Sequence, residues 1–195
     1  HGVLDGDPNI PGYYLCTRWA PAESGAATVA AALQMWDLTS VQEGMDRAKH
    51  LETAWNIVFA DTRGNIGYQM SGLMPKRRDG VSGLAPLAGW KAENDWQGFV
   101  TPDDLPRCIN PDEGFIVTAN EDLNHLGRAR PINMPMGPYR AERIASLLQE
   151  KDKLGCEDMY AIHKDVYSTQ ARDFMDILGP LLPDTPQAKI LKAWD

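Results

Sequence analysis

Residues 54–72 constrain the fold more than any other stretch of this chain. Ala54-Trp55-Asn56-Ile57-Val58-Phe59-Ala60 is rich in β-branched and aromatic residues, and Ile66-Gly67-Tyr68-Gln69-Met70-Ser71-Gly72 reads as its return strand. Between them lies turn chemistry, Asp61-Thr62-Arg63-Gly64-Asn65. The Asp61 carboxylate can accept backbone N–H groups there, and Gly64 can take a positive φ. The product is an antiparallel hairpin.

Around this hairpin the pattern alternates between helix and broken loop. Residues 1–20 are short and interrupted by Gly6, Pro8, Pro11 and Gly12, with an aromatic strand predicted over 13–19. The pair Ser24-Gly25 punctuates the chain before a helix over about 28–38, where Val29, Leu33 and Trp36 fall at helical spacing. A second helix covers about 40–50, with Ser40 as N-cap and Glu43 at capping-box distance. Residues 73–114 carry Pro75, Gly80, Gly83, Pro86, Gly89, Pro102, Pro106 and Pro111, which exclude a long helix. Trp90 and Trp96 are expected to pin this excursion. A strand is predicted over 114–119, ended by the polar cluster Asn120, Glu121, Asp122 and Asn124. Helices follow over 139–149, with Ile144, Leu147 and Leu148 on one face, from 157 to 162, around Phe174, Ile177 and Leu178, and from 187 to 194. The length, 195 residues, suits a single domain.

Charge and motifs exclude several functions. A net charge of -8 opposes nonspecific nucleic-acid binding, and the basic cluster Lys76-Arg77-Arg78 reads as a solvated loop. No apolar run reaches the length of a membrane span. Three widely spaced cysteines, Cys16, Cys108 and Cys156, read as buried thiols rather than a zinc or disulfide framework. None of His1, His50, His125 and His163 forms an HxH or HExxH pair. The run Gly64-Asn65-Ile66-Gly67 opens a strand, not the helix that a dinucleotide loop requires, and no GxSxG elbow surrounds Ser71. Glu121, Asp122, Asn124 and His125 read as an ordinary turn, with a metal site as the other reading. Asn120 remains. Read from its residues alone, a strand-terminal Asn is a turn residue, yet its side-chain amide is also the neutral donor that a developing oxyanion needs.

Set in order, these segments resemble the penicillin acylase family of N-terminal-nucleophile hydrolases. The likeness runs through residues 55–68, Gly72-Leu73-Met74-Pro75-Lys76-Arg77, Trp96-Gln97-Gly98-Phe99-Val100-Thr101, Leu105-Pro106, residues 110–120 and Tyr139-Arg140-Ala141-Glu142-Arg143-Ile144. It continues through Glu157-Asp158-Met159 to Asp165 and Ser168. The resemblance implies an α+β fold: part of an αββα sandwich, antiparallel strands with flanking helices. It also implies an activity, hydrolysis of an acyl amide such as a penicillin or an acyl-homoserine lactone. A precursor cleaves itself to expose a Ser whose own α-amine is the base, and an acyl-enzyme forms. In that frame Asn120 matches the Asn that completes the oxyanion hole, and Arg140 matches an Arg in the next helix that orders the site.

The chain departs from the family at its start. It begins His1-Gly2, which resembles an internal His-Gly of the β subunit, and His1 carries no hydroxyl or thiol. The resemblance therefore implies an internal β-subunit segment whose partners are the rest of the precursor, with the α subunit and the nucleophile-bearing strand, and an acyl amide substrate. It implies no cofactor for catalysis, a structural calcium in several members, and a periplasmic location for the longer protein. Strands cut from a layered sandwich expose edges and apolar faces, so self-association of the segment is a further expectation. Two other readings stand beside it. One is a non-catalytic structural or interaction domain on the same scaffold. The other is a stand-alone hydrolase using Asp61, Asp122 and His125.

Overall fold

The computed structural model describes residues 2–23 and 25–193; His1, Ser24 and the end of the helix expected to reach 194 lie outside the described residues. Contacts group the chain into two compact units, residues 1–116 with 122–135, and residues 117–121 with 136–195.

The first unit holds all the strands found among the described residues. Val3–Asp5 (β1) pairs antiparallel with Leu15–Thr17 (β2). The expected strand over 13–19 thus shrinks to three residues, and its partner lies in a stretch that Gly and Pro had marked as irregular. The helix expected over 28–38 is Ala26–Leu33 (α1), continued by a tighter 3-10 turn over Gln34–Asp37. Its predicted apolar face is open: Val29, Leu33 and Trp36 are all exposed. Helix Val41–Ala48 (α2) begins where expected, with Ser40 Oγ accepting from Glu43 N at 3.2 Å. The Glu43 carboxylate reaches one residue further back than a standard capping box, accepting from Thr39 N at 3.0 Å.

The hairpin forms as read, Asn56–Ala60 (β3) against Ile66–Met70 (β4), with Phe59 opposite Gly67. Asp61 Oδ1 accepts from Arg63 N (2.9 Å) and Asn65 N (3.0 Å), while Gly64 sits at φ 87°. Two glycines let α2 settle on this hairpin. A Cβ on Gly67 would lie 2.4 Å from Val41 Cγ1, and one on Gly44 would lie 2.6 Å from the Phe59 ring. Each glycine is thus the hollow that receives a side chain from the other element. Alternation along β4 sends Tyr68 and Met70 to the opposite face, where they join Leu105 and Leu123 in the core. Tyr68, fully buried, donates to Asn56 Oδ1 at 2.8 Å.

The third strand corrects the sequence expectation. It is Arg107–Ile109 (β5), antiparallel to β4, inside the stretch expected to be loop. Met70 N bonds Pro106 O and Ile66 N bonds the Asn110 side chain, both at 2.9 Å, which extends the pairing at each end. Residues 114–119 form no assigned strand. Their β-rich composition is real, but a strand needs a ladder partner, and among the described residues β4 already has one on each edge. The excursion before β5 is held by backbone pairing of Pro75 with Phe99 and by Arg18, whose guanidinium lies 4.2 Å from the Trp96 ring centre. Trp96 pins as expected. Trp90 does not: it is 73% exposed and meets only the ring of Tyr13, at 5.7 Å, among ring contacts of the described residues. The thiols also depart from the buried reading, with Cys16 and Cys156 exposed and Cys108 half-buried.

The second unit is helical: Tyr139–Leu148 (α3), Cys156–Lys164 (α4), Thr169–Leu178 (α5) and Pro186–Lys192 (α6). Side chains cap three of the four starts. Asp158 accepts from Gly155 N (2.7 Å), Ser168 from Ala171 N (3.1 Å) and Thr185 from Ala188 N (3.2 Å). Helix α3 begins after Pro138 with no side-chain cap, so its first turn depends on other contacts. The architecture is α+β, with antiparallel strands flanked by helices, as the sequence led one to expect.

Candidate active site

Asn120 sits in a tight turn of the second unit. Its φ is 67°, and only one other described non-glycine residue, Asn110, has a positive φ. Asn tolerates this left-handed region better than most residues because its short polar side chain bonds locally. The turn is tied down on both sides. Glu121 Oε2 accepts from Ala119 N at 2.6 Å, and Asn120 O accepts from Met136 N at 2.8 Å.

Arg140, in the first turn of α3, reaches this turn with one nitrogen. Its Nη2 donates to Ala119 O at 2.7 Å and to Asn120 Oδ1 at 2.8 Å, and lies 3.4 Å from Met136 Sδ. The structure therefore brings together the two residues singled out from sequence. The chemistry of Arg also decides the orientation of the amide. A guanidinium has only donors, so the atom facing it must be the oxygen of Asn120. The two N–H groups of Nδ2 are then left over, on an exposed residue, and no described residue accepts from them. A neutral donor pair on a pinned side chain costs little reorganisation when negative charge develops beside it.

The other candidates have local duties. Asp61 holds the hairpin turn and reaches Val41 N, at the start of α2, at 3.3 Å. Hydrogen bonds from the Asn65 side chain, and then from the Asn65, Val41 and Arg63 backbone amides, hold its carboxyl down at about 2. Asp122 Oδ1 accepts from Asn124 N at 2.9 Å. Asn124 clamps Ile132 with both ends of its amide, at 2.7 and 3.0 Å. His125 lies in the 3-10 turn Asn124–Leu126. Among the described residues no three His, Cys, Asp or Glu side chains are grouped as a metal ion requires. Ser71 is fully buried, its Oγ donating to Thr53 O at 2.7 Å and accepting from Trp55 N at 3.3 Å. A hydroxyl so occupied is structural.

Sequence reasoning missed the support around Arg140. Arg143, one turn along α3, donates through Nε and Nη2 to the two oxygens of Asp165 at 3.0 and 2.6 Å. Its guanidinium lies 4.9 Å from the Tyr167 ring centre. Arg140 and Arg143 stand three positions apart, a spacing that puts both on one helix face. Nothing local marked Asp165 as the partner of Arg143, because the pairing spans 22 positions.

The family is decided by comparison over the whole length. This chain belongs to the penicillin amidase family, whose sequence profile matches residues 1–195. It is 34% identical over 179 residues to a penicillin acylase 2 proenzyme of Pseudomonas sp. (strain SE83), covering 88% of this chain and 21% of that protein. It is 32% identical over 186 residues to the acyl-homoserine lactone acylase QuiP of Pseudomonas aeruginosa (strain PAO1), covering 93% of this chain and 22% of that protein. The chain thus spans about a fifth of the length of the curated relatives it matches. Among solved structures, a thermostable penicillin G acylase from Alcaligenes faecalis matches with a TM-score of 0.70 at 22% identity, over 90% of this chain and 33% of that one. At that identity the likeness speaks for the fold.

Proposed function

We propose that this chain is part of an N-terminal-nucleophile amidohydrolase that cleaves an acyl amide, and that Asn120 Nδ2 donates to the oxyanion of its tetrahedral intermediate. One observation carries the reading: Arg140 occupies Asn120 Oδ1 and so leaves the amide N–H groups to a ligand. In the mechanism, a Ser at a cleaved N-terminus elsewhere in the longer protein attacks the amide carbonyl, and its α-amine takes the hydroxyl proton. Negative charge moves onto the carbonyl oxygen, where Asn120 would stabilise it more than it does the neutral carbonyl. The intermediate collapses, the amine leaves with a proton, and water releases the acid from the acyl-enzyme. Arg140 acts on Asn120, not on the substrate.

The relatives named above carry penicillin and acyl-homoserine lactone in their names, and these are the two substrate classes to try first. The partners in this reading are the rest of the precursor, including the α subunit, and the compartment is the periplasm. No helix of the described residues is long and apolar enough to cross a membrane. Exposed apolar side chains such as Val29, Leu33 and Trp36 are surfaces for those partner segments or, in the segment alone, for a second copy. The same reading takes no cofactor in catalysis and includes a structural calcium in the longer protein.

The test is Asn120→Ala in the processed, full-length enzyme, assayed with penicillin G and with an acyl-homoserine lactone. Removal of one oxyanion donor should lower kcat by about 10²–10³ and leave KM nearly unchanged. A variant that folds, processes and turns over at the parent rate on every substrate the parent accepts overturns the assignment.

A further inference from the structure

The first turn of α3 carries the residue that orients Asn120, yet it has no side-chain cap of its own. It is gripped instead by the segment between α4 and α5. Asp165, which ends α4, binds Arg143 through two parallel hydrogen bonds at 3.0 and 2.6 Å. Its Oδ1 also accepts from Tyr167 N at 3.2 Å, which fixes the carboxylate to its own loop. Tyr167 lies under the Arg143 guanidinium. Two residues on, Thr169 Oγ1 donates to Tyr139 O, the residue before Arg140, at 3.2 Å. The loop and the first residue of α5 thus hold α3 at two points that flank Arg140 in sequence. All of these residues belong to the same unit as Asn120. Tyr139, Arg140, Arg143, Asp165, Tyr167 and Ser168 also line one open hollow of about 340 Å³, so Arg140 is not packed solid on that side.

We infer that Asp165 is a positioning residue for the oxyanion donor: its bidentate hold on Arg143 sets the rotation of α3, and that rotation sets where Arg140 holds Asn120. This rests on the oxyanion role proposed above for Asn120. The physical case is one of leverage. A long Arg side chain turns a small helix rotation into a displacement of its tip, and catalytic donors must be held within about 0.5 Å and 10–20° to work. A two-bond fork on a carboxylate specifies direction as well as distance, which a single bond does not. The hollow beside Arg140 matters for the same reason, since packing on that face does not hold the side chain in register.

Asp165→Asn tests this in the processed, full-length enzyme. The amide replaces one acceptor oxygen with N–H groups, so one arm of the fork is lost while size is kept. The expected result is a 10- to 100-fold fall in kcat, about the cost of misplacing a reacting group by an ångström, with KM changed by less than about threefold. Arg143→Lys, which keeps the charge but cannot fork, should give the same split in milder form. The discriminating measurement is the double variant with Arg140→Ala. If Asp165 acts through Arg140, Asp165→Asn adds less than about twofold to the loss in kcat already caused by Arg140→Ala. Full additivity in that background, or parent kcat in both Asp165→Asn and Arg143→Lys, overturns the inference. Titration of the exposed nucleophile normalises every rate to folded, processed enzyme. Failure of the parent reading looks different, because Asn120→Ala would then be silent whatever Asp165 does.

Discussion

Gly67→Ala tests how closely α2 is seated on the hairpin. The added Cβ would lie 2.4 Å from Val41 Cγ1 and 2.7 Å from Met45 Sδ. Ordinary carbon contacts lie at about 3.5–4.0 Å, so more than about 1 Å of clearance must be found. Little is available, since Val41 is 2% exposed and Met45 is fully buried. Overpacking of this kind costs about 1–3 kcal/mol, against which the strand gains about 0.5–1 kcal/mol when Gly becomes Ala. The net expected loss is about 1–2 kcal/mol. Five of the six Trp, at 19, 36, 55, 90 and 96, belong to the first unit, so Trp fluorescence in urea reports its unfolding. With a urea slope of about 2 kcal/mol per M, the midpoint should fall by about 0.5–1 M. Gly89→Ala is the control: no atom lies within 4 Å of its Cβ and its φ is ordinary, so the midpoint should not move. Val41→Ala should then cost less in the Gly67→Ala background than alone, because it relieves the clash it would otherwise leave as a hole. A Gly67→Ala midpoint within about 0.2 M of the parent would refute the packing argument, whatever the second-site variant does.

Two further predictions concern stability. Ser71→Ala removes a buried hydroxyl that both donates to Thr53 O and accepts from Trp55 N, so the first unit should lose about 1–3 kcal/mol in urea titration, while a processed enzyme carrying it keeps its kcat. A loss of kcat greater than tenfold at unchanged stability would refute the structural reading of Ser71. For Asp61, the folded carboxyl sits at about 2, below the usual unfolded value of about 3.9. A depressed acid adds stability that is complete above about pH 4 and is lost as pH falls through 2. The difference in urea midpoint between parent and Asp61→Asn should therefore be constant above pH 4 and shrink from pH 4 to pH 2. A difference that stays constant down to pH 2 refutes this, and it is the comparison that matters, because Asp103, Asp158 and Asp165 are also held below the usual range by bonded cations or amides.

Legibility in the sequence followed the range of the interaction. The hairpin, the Ser40 cap, the Gly64 turn and the starts of the helices expected from 139, 157 and 187 rest largely on local pattern, and they stand within one or two residues of where that pattern put them. The strand expected over 114–119 and the unexpected one at Arg107–Ile109 failed for one reason. Both segments have strand-like residues, but only pairing decides which becomes a strand, and β4 selected the shorter one through a register that no local pattern encodes. Val29, Leu33 and Trp36 show the converse, since helical spacing was right and burial was not.

The candidate site divides along the same line. Asn120 and Arg140 were legible, as a polar residue at the end of an apolar run and as part of an ordered series of short motifs. Their separation is 20 residues, and only the folded chain could put Arg140 Nη2 at 2.8 Å from Asn120 Oδ1. What the sequence determined by itself was the set of local elements and the membership of a family, because propensity, turn chemistry and motif order are properties of neighbouring residues. What the tertiary structure decided was that Arg140 engages the Asn120 side-chain oxygen, that the Asn120 Nδ2 N–H groups meet no acceptor among the described residues, and that Asp165 is the partner of Arg143. Those are matters of direction between side chains far apart in sequence, and direction exists only once the chain has folded.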